Sequence, residues 1–76
     1  MKSMKQKIAH YYETEGQARI SKAKMSLELL IEHPAGIGDH STNDYYEGLD
    51  EIAALYQEGK DYLELSDMIM TGENFV

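Results

Sequence analysis

The sequence predicts an all-α fold, an antiparallel helical hairpin of two long helices, at about residues 4–32 and 42–70, dimerising into a four-helix bundle. Three observations predict it. The only proline lies in a single break near the middle of the chain, His33-Pro34-Ala35-Gly36-Ile37-Gly38-Asp39-His40-Ser41. On both sides of that break apolar residues recur at spacings of three and four, the period of a helix face and not of a strand. The resulting apolar stripes are broader than one partner helix covers.

The first helix is free of proline and rich in helix formers. Ala9, Tyr12, Gly16, Ile20, Ala23, Leu27 and Leu30 form its main stripe, and Ile8, Tyr11, Ala18, Met25 and Leu29 flank it. Pro34 ends the helix, because the residue before a proline avoids the helical region. The second helix opens on Ser41 as N-cap, with Asp44 three residues later in a capping-box pattern. Asp44, Glu47, Asp50 and Glu51 then suit the positive end of the helix dipole. Tyr45, Leu49, Ile52, Tyr56, Gly59, Leu63, Ser66 and Met70 alternate steps of four and three, the heptad seam. Gly72 terminates this helix.

Folding the chain at residues 37 and 38 makes facing positions sum to about 75. Leu30 then faces Tyr45, Ala23 faces Ile52, Gly16 faces Gly59 and Tyr12 faces Leu63. A glycine inside a helix costs about 1 kcal/mol relative to alanine. Two of them at one level suggest a reason for the cost, either a close backbone crossing or a notch filled by a tyrosine of another copy; the alternative is two surface glycines with no role. The same rule pairs Lys24 with Glu51 and Arg19 with Glu58. The expected core and interface residues are Tyr12, Gly16, Ile20, Ala23, Leu27 and Leu30 on the first helix. On the second they are Tyr45, Leu49, Ile52, Tyr56, Gly59 and Leu63. Buried tyrosine hydroxyls need partners or water, so such a seam is expected to be partly wet.

Seventy-six residues allow one domain, 1–76, with a marginal core of its own. Without cysteine there is no disulfide, thiolate zinc site or cysteine nucleophile to support it. Association with further copies, as a homodimer or higher homo-oligomer, is the remaining source of buried surface. No stretch reaches the roughly 20 apolar residues of a membrane span, and no apolar segment follows the basic Met1–Lys7 stretch. A cytoplasmic protein without membrane contact is expected.

The net charge of −7 is unevenly spread. Residues 1–27 hold six bases and two acids, and residues 28–76 hold one base and twelve acids. An acidic chain is a poor nucleic-acid binder, because phosphate contacts need clustered Lys and Arg. The asymmetry suits a basic helix beside an acidic one, within a chain or between copies.

The break also offers a candidate anion or interaction loop, Gly36, Gly38, Asp39, His40 and Ser41. Its glycines allow backbone amides to gather ahead of a helix N-terminus. The alternative is that they shape the connection while Ile37 plugs the bundle end. His33, Asp39, His40 and Asp44 match no established metal-ligand spacing. Nucleophile, phosphate-loop and paired-histidine motifs are absent from the sequence, so neither an enzyme nor a cofactor is expected.

The stretch Leu29-Leu30-Ile31-Glu32-His33-Pro34-Ala35-Gly36-Ile37-Gly38-Asp39-His40-Ser41 resembles a segment in small uncharacterised proteins of tailed phages infecting marine cyanobacteria. There too a helix end, a Pro-x-Gly-Ile-Gly-acid-His turn and a second acidic helix follow in this order. The resemblance covers about half the chain. It implies a viral accessory protein in the host cell cytoplasm, with a host or viral protein as partner, and carries no activity with it. The expected role is a non-catalytic, self-associating interaction module. The competing readings are an acidic nucleic-acid mimic that inhibits a host DNA-binding protein, and an anion- or metal-binding module using the loop.

Overall fold

The computed structural model describes residues 2–32 and 42–72, with the side chains of residues 42–44 outside that description. Two helices, α1 (Met4–Glu32) and α2 (Thr42–Thr71), pack against each other along their length. The result is the expected all-α antiparallel hairpin, 53 Å long, 25 Å wide and 13 Å thick.

The ends of the helices follow from local hydrogen bonding. At the start of α1 the Ser3 hydroxyl oxygen accepts from the Gln6 amide at 3.1 Å, and the Gln6 side chain accepts from the Ser3 amide at 3.0 Å. This reciprocal Ser-x-x-Gln box satisfies two amides that have no partner within the helix. The sequence carries this signal plainly, although the periodicity alone does not point to it. α1 stops at Glu32, two residues before Pro34. α2 ends where Gly72 takes a φ of +76° and its amide donates to the Met68 carbonyl at 2.8 Å. That is the left-handed C-terminal stop for which glycine is favoured. The expected cap at Ser41, and the residues Phe75 and Val76, lie outside the described residues.

The seam between the helices is built from small residues seven apart. Ala9, Gly16 and Ala23 are the buried residues of α1, and Gly59 and Ser66 those of α2. Ala9 meets Ser66 and Gly16 meets Gly59, both pairs summing to 75. The Ser66 hydroxyl donates to the Ala9 carbonyl at 2.8 Å across the seam. A Cβ on Gly16 would stand 2.8 Å from the Gly59 carbonyl oxygen, and a Cβ on Gly59 would stand 2.8 Å from the Gly16 carbonyl oxygen. Of the two explanations for the glycines, the close crossing holds. Each glycine sets a hydrogen where any other residue has a carbon, so the backbones meet directly and weak Cα–H···O contacts become available.

Ser66→Ala removes the cross-seam hydrogen bond without changing the fit. Because the Ala9 carbonyl belongs to a helix and keeps its ladder partner, little desolvation penalty remains. The expected loss is about 0.5–1.5 kcal/mol, read from urea unfolding at fixed protein concentration.

Several residues expected in the core sit elsewhere. Gly16, Ala23 and Gly59 are buried; Tyr12, Ile20, Leu30, Tyr45, Leu49, Ile52 and Leu63 are half-buried; Leu27 and Tyr56 are exposed. A seam of alanine and glycine draws the helices too close for large side chains to fit between them. Those side chains therefore flank it. The tyrosines behave in the same way. Tyr12 and Tyr62 meet edge to face at 5.6 Å, and Tyr11 leans on Tyr12 at 5.5 Å.

Candidate functional site

Residue size along the seam changes from one end of the hairpin to the other. At the open end Ala9 faces Ser66, and in the middle Gly16 faces Gly59. Towards the connection Ala23 meets Ile52, and Leu30 lies by Gly48, Ile52 and Leu55. Bulk therefore increases toward the connecting end, and hollows open on both sides of Ile52. The larger, of about 420 Å³, is lined by Ala23, Lys24 and Leu27 of α1. From α2 it takes Leu49, Ile52, Ala53 and Tyr56. Lys24 is the single charged residue of that lining. On the opposite side a hollow of about 290 Å³ has Ser26, Leu30, Gly48, Glu51 and Leu55 about Ile52.

This groove is an apolar, concave part of the hairpin surface. Leu27 is 40% exposed and Tyr56 41% exposed, and both line it. Their exposure is therefore part of a continuous concave surface and not a pair of isolated apolar residues. Concave apolar surfaces with a polar rim mark association sites.

The other face carries the electrostatics. Arg19 Nε donates to Glu58 Oε1 at 2.8 Å across the seam, and Arg19 Nη1 donates to Glu15 Oε1 at 2.8 Å and to the Glu15 carbonyl at 3.2 Å. Its guanidinium carbon lies 4.4 Å from the centre of the Tyr62 ring. These carboxylates, Glu15 foremost, hold the guanidinium further toward its charged form than usual. The expected pairing of Arg19 with Glu58 is present. The expected pairing of Lys24 with Glu51 is not among the ion pairs of the described residues. The physical reason is that the two residues sit one step to opposite sides of the seam. Lys24 lines the larger groove, and Glu51 lines the hollow on the opposite face.

At the open end a third hollow, of about 240 Å³, brings Lys2, Gln6, His10 and Glu13 beside Ala9, Ser66 and Met70. It is polar where the large groove is apolar. Among the described residues no cluster of three or more His, Asp or Glu could hold a metal ion. The candidate loop residues Gly36, Gly38, Asp39, His40 and Ser41 lie outside the described residues, as does His33. No helix among the described residues is long and apolar enough to cross a membrane.

Fold and surface together define an antiparallel helical hairpin with a small-residue seam and one apolar groove. No protein-family model matches the chain, and neither a curated protein nor a solved structure matches it.

Proposed function

We propose that this protein is a non-catalytic interaction module that works by self-association, its smallest assembly being a homodimeric four-helix bundle. One observation carries this reading. Among the described residues the buried apolar ones are Ala9 and Ala23, and no large side chain is fully buried. Alanine methyl groups remove little surface from water. At about 25 cal/mol per Å² the large apolar residues that remain 40–69% exposed leave hydrophobic stabilisation unused in the isolated hairpin. Leu27 and Tyr56 stand on the groove, and Ile8, Met25, Leu29 and Ile31 are also exposed. A second copy is the partner always present at the required concentration, and a twofold pair is the commonest closed assembly.

Sedimentation equilibrium tests the proposal. At micromolar concentration the expected mass is twice the 8.7 kDa of the chain. The urea midpoint should rise with protein concentration, as linkage requires when folding and association are coupled. A mass of one chain up to high micromolar concentration, with a midpoint that does not move, would overturn the reading.

A further inference from the structure

The groove also constrains how two copies would meet, an inference that rests on the self-association reading above. We propose that the second copy docks groove to groove with the twofold axis running along the length of the hairpin. Each α1 then lies over the α2 of the other copy, and both connections are at the same end of the assembly.

The placement of apolar surface is the first argument. The groove occupies only the half of its face nearest the connection, from Ala23 to Leu27 and from Leu49 to Tyr56. Glu13 precedes Lys24 by eleven residues, or three helical turns, so both lie on this face. Its open-end half therefore presents the polar hollow of Lys2, Gln6, His10 and Glu13. A twofold along the hairpin sets apolar half on apolar half. A twofold across the hairpin, with the helices in full overlap, would instead lay each groove on the polar half of the other copy.

Charge gives the second argument independently. Within α2 there are eight acids and one base, whereas α1 has five bases and four acids. A twofold across the hairpin stacks α2 on α2 and so sets two helices of net charge −7 beside each other. The axis along the hairpin crosses each acidic helix with the other copy's α1, which removes the like-charge opposition. Both arguments select the same axis.

The choice of face follows from Arg19. Its pairs with Glu15 and Glu58 stand on the opposite side of the hairpin, partly open to water. Covering that side would desolvate three charges for which the pairing compensates incompletely. On the groove side the charges to accommodate are Lys24 and Lys60 by the groove and Lys2 and Glu13 at the open end; none is held in an ion pair among the described residues, and the lysine ammoniums can reach the rim on their flexible stems. A face 53 by 25 Å also has room for the roughly 800 Å² per partner that a standard interface buries.

Disulfide trapping tests the orientation, since the chain has no cysteine of its own. Lys24 and Ala53 both line the groove, on different helices at nearly the same height by the sum rule. Lys24→Cys and Ala53→Cys are made as separate proteins, mixed, and oxidised, and the linked species are weighed by mass spectrometry. Docking as proposed brings position 24 of one copy over position 53 of the other, so the mixed dimer should exceed either self-linked dimer several-fold. Copies of position 53 would sit diagonally across the bundle, beyond the roughly 7 Å Cα separation a disulfide spans. Predominant self-linking of Ala53→Cys would overturn the proposal, as would failure of the mixture to cross-link while sedimentation still shows a dimer. In either case self-association would stand and only the orientation would fall. A monomer by sedimentation would remove both.

Discussion

Gly59→Ala should destabilise the protein by about 1–2 kcal/mol, although alanine is the better helix former. The added carbon would stand 2.7 Å from Ile20 Cγ1, 2.8 Å from the Gly16 carbonyl oxygen and 3.1 Å from the Ile20 amide nitrogen. Two of those three atoms are backbone and cannot turn aside. The helices must therefore separate, which also loosens Ala9 and Ala23 on either side of the crossing. Overpacking of this kind typically costs about 1–3 kcal/mol, and the propensity gain of about 1 kcal/mol offsets only part of it. For a chain of this size the net effect corresponds to a fall in Tm of about 4–16 °C. Gly48→Ala supplies the contrast. Gly48 is in the same helix with nothing within 4 Å of its missing Cβ, so that substitution should stabilise by about 0.5–1 kcal/mol. Thermal unfolding at one protein concentration checks both. If Gly59→Ala and Gly48→Ala shifted Tm in the same direction, the backbone contact would not be what holds the crossing together.

Tyr56→Ala should weaken dimerisation by about 30-fold. Tyr56 is 41% exposed on the groove wall, with Lys60 5.6 Å from its ring centre. In the proposed dimer its ring fills the apolar centre of the interface. Central aromatic anchors of this kind cost about 2 kcal/mol or more on truncation, which converts to that factor in Kd. Within one chain the residue is 41% exposed, so truncation also removes some packing of the single hairpin, and the loss in Kd is read at concentrations where the hairpin stays folded. Tyr11, 56% exposed and edge-on to Tyr12, lies outside the groove, and Tyr11→Ala should change Kd by less than about threefold. Sedimentation equilibrium of the two variants beside the parent protein measures both. Equal effects would mean that association does not run through the groove.

Much of this architecture was legible along the chain. Pro34 and the two apolar periods located the helices, and the sum rule placed Gly16 beside Gly59 and Arg19 beside Glu58. Both pairings depend only on the position of the turn and on the helical repeat. What the rule lacked was the side of the seam. It set Lys24 level with Glu51 without showing that one step before the seam on one helix and one step after it on the other lead to opposite faces. It also assigned the interior to large residues. Leu27 and Tyr56, expected in the core or the interface, are exposed in the single hairpin, whereas Ala9 and Ser66, smaller members of the same stripes, occupy buried positions. The capping pair Ser3 and Gln6 is readable from its Ser-x-x-Gln spacing alone, a signal independent of the apolar periodicity.

By itself the sequence determined that this chain forms two long helices, where each begins and ends, and which residues share a level once they fold together. Those properties come from local backbone preferences and a fixed helical repeat. Tertiary structure alone decided how closely the helices approach, and therefore which side chains fit between them. Small residues at every seventh position bring the backbones into contact, and contact at that distance expels the larger residues to the flanks. The groove beside Ile52 results from that packing: it opens where the facing pairs become too bulky for the close approach to continue.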